Sequence, residues 1–174
     1  MIQKAELRRR LLDSRRSISH KRRLEASLSL FNRLKDKGPI LSFFPIRNEI
    51  DTTLLNKFLA KTGILFLPRV EDNRLIPYRV TDLETQLEIS SYGIPEPNPN
   101  ICEKASFPKI SLILVPGLGF NRDGYRLGYG KGYYDNLLGS AKTSFSLGIG
   151  FKEQLVEKLP RDAWDIPTSE LFLV

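Results

Sequence analysis

A chain of 174 residues fits one domain with a sizeable core, and 41% apolar with 27% charged residues excludes collagen-like and disordered classes. The single cysteine, Cys102, excludes an intramolecular disulfide and a cysteine-based zinc cluster, and no apolar run approaches the roughly 20 residues that span a bilayer. The net charge of +7 is uneven, since residues 1–37 hold 12 Lys or Arg against 4 Asp or Glu, whereas residues 38–174 hold 15 against 16. Such a basic segment suits a nucleic-acid footprint, a solvated helix face or a clamp on a polyanionic small molecule. Phe31 is its sole aromatic, so the stacking platforms of a single-strand binder are missing.

Residues 2–16 predict a helix with Ile2, Ala5 and Leu12 as its apolar stripe. Lys4 and Arg8 stand four apart and share a face, where their repulsion would be relieved by an anion; a solvated basic face has the same spacing. Leu24, Leu28, Phe31 and Leu34 predict a second amphipathic helix, ended by Gly38 and Pro39, with the only histidine, His20, on its solvated side. From there strands and helices alternate: strand 40–44, helix 52–61 closed by Gly63, strand 64–67, edge strand 75–80 and a proline-rich loop 92–99. A buried strand 112–115, a helix 133–138, a strand 144–149, a short helix 154–159 and a strand 171–174 complete the chain. This alternation predicts an α/β fold: a three-layer open sheet, largely parallel, with helices on both faces. One domain spanning 1–174 is expected, with the basic helical segment 1–37 packed as part of it. No apolar leader is visible, and a cytoplasmic location is expected.

Ligands of open parallel sheets gather beyond the carboxyl ends of the strands. The loops after strands 40–44 and 112–115 therefore face one cleft. The second of them is rich in glycine: Gly117, Gly119, Gly124, then Gly128, Gly130 and Gly132, interleaved with Arg126 and Lys131. A backbone of this kind can bring several N–H groups close to one anion, with the start of helix 133–138 adding its dipole. It matches neither G-x-x-x-x-G-K-[ST], because Gly132 follows Lys131, nor G-x-G-x-x-G, because Tyr133 takes the last position. A turn that only reverses the chain would have similar glycine spacing. Glu49 alone reads as an exposed loop acid, and Tyr129, Tyr133 and Tyr134 as core aromatics beside a helix start.

The run V-P-G-L-G-F at 115–120, followed by D-G-Y-R-L-G-Y-G-K-G-Y-Y-D at 123–135, resembles the signature of the 5-formyltetrahydrofolate cyclo-ligase family. Weaker echoes lie at 4–8, at R-N-E-I-D-T (47–52), at L-P-R-V (67–70) and at G-I-P-E-P (93–97), so the resemblance spans nearly the whole chain. It implies an ATP- and Mg²⁺-dependent ligase that closes 5-formyltetrahydrofolate to 5,10-methenyltetrahydrofolate through a phosphorylated formyl group, with ATP as co-substrate. It further implies an ATP site at Lys4, Arg8, Arg126, Gly128, Tyr129, Gly130, Lys131, Gly132, Tyr133 and Tyr134. Substrate contacts are implied at Glu49, Leu54, Tyr129 and Tyr133, catalytic roles for Lys131, Arg126 and Tyr133, and a metal ligand at Asp135. The family pattern H-D-x-P-x-D is broken here: W-D-I-P-T-S (164–169) puts Ser169 where a second metal-associated Asp is expected, leaving Asp165 or Glu170 as substitutes. The partners implied are the folate and ATP, with no membrane, and a monomer is expected. A nucleic-acid-binding protein using the basic helices, or a folate-binding module without turnover, are the alternatives.

Overall fold

The computed structural model describes residues 3–174, so Ile2 of the expected apolar stripe lies outside the described residues. Helices α1 (Lys4–Arg16) and α2 (His20–Leu34) lead into β1 (Ile40–Leu41), α3 (Thr53–Lys61), β2 (Leu65–Glu71) and β3 (Arg74–Val80). Short strands β4 (Leu87–Ile89), β5 (Pro95–Pro97) and β6 (Glu103–Lys104) precede β7 (Leu112–Val115), β8 (Gly119–Phe120) and β9 (Arg126–Leu127). Helix α4 (Tyr133–Ser140), β10 (Phe145–Gly150) and β11 (Glu170–Leu173) follow. The central sheet has the order β11-β10-β7-β1-β2-β3-β6, parallel from β11 to β2 and antiparallel at β3 and β6.

Side-chain alternation along the central strands builds two cores. Ile40, Leu65, Leu67, Leu112 and Leu114 face α2 and α3, packing on Leu30, Leu34, Leu55 and Leu59. Their neighbours Leu41, Phe66, Ile113 and Val115 face the other way, against Leu137 and Leu138 of α4. The expected three-layer architecture is therefore the observed one. Each fully buried aliphatic side chain contributes about 1.5–3 kcal/mol of transfer free energy, so short strands suffice once both faces are covered.

Several local expectations are corrected. The buried face of α1 is Leu7, Leu11 and Arg15, while Ala5 is exposed, because this helix docks with its basic edge turned inward. On α2 the buried residues are Ala26, Ser27, Leu30 and Leu34, and Leu24 and Leu28 are about half exposed. The strand expected at the sheet edge, β3, is an interior one, covered by the two residues of β6. Its hairpin with β2 turns at Asp72 and Asn73, both at positive φ (46° and 59°), which is the two-residue geometry that matches strand twist. Pro68 and Pro77 stand opposite each other there, so neither ladder position lacks a donor it would have used. The proline-rich stretch is not all loop, since β5 pairs with β4. The short helix at 154–159 is replaced by a 3₁₀ turn at Lys152–Gln154, where Gln154 is buried and donates to the carbonyls of Gly117 (2.7 Å) and Leu118 (3.1 Å).

The loop after β8 is tied to the segment before β11 at Gly124. Its carbonyl accepts from Thr168 N–H (3.0 Å) and Thr168 Oγ1 (3.1 Å), at a φ of +85°. A Cβ added there would lie 2.6 Å from the Thr168 carbonyl oxygen. Gly124→Ala is expected to cost about 2–4 kcal/mol of stability, measurable as a lower urea midpoint with an unchanged slope.

Candidate active site

Strand β1 has β7 on one side and β2 on the other, which makes it the switch point of the sheet. The crevice beyond its carboxyl end is bounded by the loop 42–52 and the loop 116–132. Helix α1 lies across the second loop, with Leu7 and Leu11 packed on Leu118 and Leu127.

The first loop presents Glu49 from a turn in which two successive non-glycine residues, Arg47 and Asn48, adopt left-handed backbone (φ 46° and 64°). Residues so held cost roughly 1–3 kcal/mol each and persist only where surrounding groups over-determine them. Two arginines do so here. Arg15 donates to the Arg47 carbonyl (2.7 Å), and Arg23 donates to that of Asn48 (2.8 Å). Contrary to its reading as an exposed acid, Glu49 is buried. Its carboxylate accepts from Ile46 N–H (3.0 Å), and its other oxygen faces Arg15 Nη1 at 3.8 Å. Burial pushes this carboxyl up to about 7, against the pull of the Ile46 N–H, Arg15 and Arg47.

Arg15 also donates to the Tyr129 hydroxyl (2.6 Å) and the Gly117 carbonyl (3.3 Å), so it joins the Glu49 turn to the glycine loop. Tyr129 carries the Arg47 guanidinium over its ring, 4.9 Å from the centroid. Burial, then the Glu49 charge, raises its phenol above the ordinary value, and the same two causes raise that of Tyr134 much further.

The glycine loop itself leaves backbone available. Arg8 Nε donates to the Gly128 carbonyl (2.9 Å), Gly130 has a φ of +99°, and Gly132 caps α4 at φ +68° with no side chain to occupy the first-turn N–H groups. Those donors, the helix dipole and the exposed Lys131 suit an anion. Beside them, the side chain of Arg126 is buried. It donates to the Ile166 carbonyl (2.8 Å) and lies 2.8 Å from Asp135 Oδ1, though its N–H groups point past that oxygen and the attraction is that of an ion pair. Burial lowers the Arg126 guanidinium from its ordinary value, while Asp135, Tyr134 and Asp165 oppose the shift. Lys4 pairs with Asp162 and lies 3.9 Å from Asp165. Of the basic residues of α1, Arg8 and Arg15 therefore reach the loops that bound the crevice, while Lys4 pairs with acids of the segment before β11.

Asp135 Oδ1 also accepts from Ile166 N–H (3.0 Å), leaving its second oxygen as the candidate cation ligand. Among the described residues no three or more His, Cys, Asp or Glu gather as a metal site. A magnesium ion that keeps most of its waters needs only one or two carboxylates, so a lone Asp beside an anion-suited glycine loop fits that ion and no more demanding one. Ser169 is hydrogen-bonded to Ser146 N–H and Oγ (3.1 Å each), and Glu170 forms an ion pair with Arg33 (3.6 Å). Leu54, in the first turn of α3, is 42% exposed.

Four features of this site were not anticipated from the residues: Arg15, the Arg47–Asn48 turn, Tyr92 and Glu96. Tyr92 meets the Tyr133 hydroxyl (3.2 Å), a contact that raises the Tyr133 phenol above its ordinary value. Glu96 is buried, and burial lifts its carboxyl above the usual range. Arg15 carried a readable signal, since Lys4, Arg8 and Arg15 recur at helical spacing.

A family model described as the 5-formyltetrahydrofolate cyclo-ligase family matches residues 1–173. A Mus musculus protein named 5-formyltetrahydrofolate cyclo-ligase is 33% identical over 97% of this chain and 90% of its own length. Its namesake from Escherichia coli K12 is 26% identical over 88% of this chain and 90% of its own length. Among solved structures, Aquifex aeolicus 5,10-methenyltetrahydrofolate synthetase superposes with a TM-score of 0.85 at 37% identity, covering 98% of this chain and 89% of that one. The Mycoplasma pneumoniae synthetase superposes at 0.73 and 25% identity, with 98% of both chains covered.

Proposed function

Because this chain belongs to the 5-formyltetrahydrofolate cyclo-ligase family, we propose that it closes 5-formyltetrahydrofolate to 5,10-methenyltetrahydrofolate at the expense of ATP. The observation that supports this most is the sharing of one crevice by a buried acid, Glu49, and an anion-ready glycine loop, joined through Arg15 and Tyr129. An ionised Glu49 accepts hydrogen bonds from the amino and ring N–H groups of a pterin. Tyr129 and Tyr133 wall the flat ring, and Leu54 offers an apolar contact at the rim. Lys131, Arg126, Arg8 and Lys4, with the N–H groups of 128–132, position the triphosphate and neutralise it.

The formyl oxygen attacks the γ-phosphorus and ADP leaves; the folate's N10 attacks the resulting iminium carbon; phosphate leaves and N10 gives up its proton. Each step moves charge rather than requiring a protein nucleophile, which fits a site built of cations and backbone donors. Asp135 would hold Mg²⁺, whose part is to neutralise phosphate oxygens. Tyr133, at the head of α4, orients the formyl group.

Purified protein given 5-formyltetrahydrofolate should form the absorbing methenyl product only when ATP and Mg²⁺ are both present. Product without ATP, or none under any condition, overturns the proposal. Lys131→Ala should lower kcat/KM by about 10²-fold and raise the ATP requirement, since a full charge is removed while the backbone donors stay.

A further inference from the structure

We propose that Arg15 is a positioning residue that holds the Glu49 turn and Tyr129 in one geometry, so that the folate subsite is assembled by α1 rather than by the two loops alone. This rests on the reading of Glu49 as the pterin acceptor. Arg15 is 1% exposed, and its guanidinium reaches three oxygens on the two loops: Arg47 O (2.7 Å) on the first, and Gly117 O (3.3 Å) and Tyr129 Oη (2.6 Å) on the second. One of these, the Arg47 carbonyl, belongs to a left-handed residue, so Arg15 is one of the groups that hold the strained turn. Its Nη1 also faces Glu49 Oε1 at 3.8 Å, close enough for charge attraction and too far for a hydrogen bond. A ligand donor can therefore take that oxygen without displacing Arg15.

A planar fork holds its donors on separate nitrogens and so reaches acceptors set apart from one another, here Gly117 O from Nη1 and the other two from Nη2; an ammonium has three N–H groups but gathers them on one atom at the end of a flexible stem. The groups that face Glu49 are Arg15 from α1, Arg47 from its own turn, Tyr129 from the glycine loop and Tyr134 from α4, with Arg23 of α2 behind the turn. Arg15 is the buried cation among them, and its charge favours the ionised form of Glu49.

The test compares Arg15→Lys and Arg15→Gln with the parent, using 5-formyltetrahydrofolate binding without ATP, ATP binding without folate, and the titration of Glu49 followed by carboxyl carbon NMR of the ligand-free protein. Arg15→Lys, which keeps charge and loses the fork, should weaken folate binding about 10-fold with the Glu49 midpoint in place. Arg15→Gln should weaken it about 100-fold and move the midpoint upward. ATP affinity should stay within about threefold in both, because Arg8, Lys131 and the loop donors remain. Folate affinity unchanged in both variants, or a Glu49 midpoint that does not move in Arg15→Gln, overturns the inference. So does an equal loss of ATP and folate binding with a lost cooperative unfolding transition, which marks Arg15 as structural only. Glu49→Gln serves as the control: if it binds folate as the parent does, the pterin reading fails, while the NMR titration still judges Arg15.

Discussion

Glu49→Gln is expected to weaken folate binding about 10- to 100-fold and, at pH 8, to stabilise the ligand-free protein by on the order of 3 kcal/mol. The two effects share a cause. The carboxyl titrates near 4.5 when unfolded and at about 7 when buried in the native chain. Below the first value both states are protonated and the residue is neutral to stability. As pH rises through the window the folded state retains the proton longer, so the native protein loses stability steadily up to about pH 7, and the loss persists above it. Gln has no proton to lose and escapes this. Urea denaturation at pH 5 and pH 8 should show the two proteins diverging as pH rises; a variant no more stable than the parent at pH 8 contradicts the burial argument. Nucleotide affinity should stay nearly unchanged.

Asp135→Asn should remove most of the activity and about 3–5 kcal/mol of stability together, because Arg126, whose side chain is 5% exposed, then stays buried without its counter-charge. Activity lost only through instability would return when the charge is deleted as well. The pair Asp135→Asn with Arg126→Met should therefore regain a large part of the urea midpoint and none of the turnover. Recovery of turnover in the double variant would remove both residues from the chemistry. Excess Mg²⁺ should restore the single variant only in part, since an amide is a poorer ligand for a hard cation than a carboxylate.

The elements that were legible in the residues are those whose burial is a strand's own affair. The run Leu112–Val115 lies inside the sheet on both faces and is apolar throughout, so its bounds could be read directly. The faces of α1 and α2 were misread because a count of apolar spacing cannot see that Arg15 and Ser27 are buried by what their polar atoms reach, Ser27 through the Asp51 carbonyl at 2.8 Å. Strands β4, β5, β6 and β8 are two or three residues long, too short to carry a period. The β2–β3 hairpin did carry a signal, Asp72-Asn73 between two β-rich runs. The glycine loop could be read from its residues as an anion cradle or a plain turn, whereas a role for Glu49 came only from resemblance to a family; the residues alone leave Glu49 a surface acid. Arg15 and Tyr92 escaped because their partners lie up to 114 and 41 positions away.

Helix α1 closes the crevice with residues made long after it. Lys4 reaches Asp162, Arg8 reaches Gly128, and Arg15 reaches Gly117 and Tyr129, each more than 100 positions further along. At about 5–20 residues per second of synthesis, the helix waits roughly 5–30 s before those partners exist. Throughout that interval Leu7 and Leu11 have no surface to cover them, on a segment dense in Arg. The nascent chain therefore carries an unpaired amphipathic basic helix while the sheet is being made, and assembly of the crevice is a late, non-local event whose rate is set by loop closure over most of the chain.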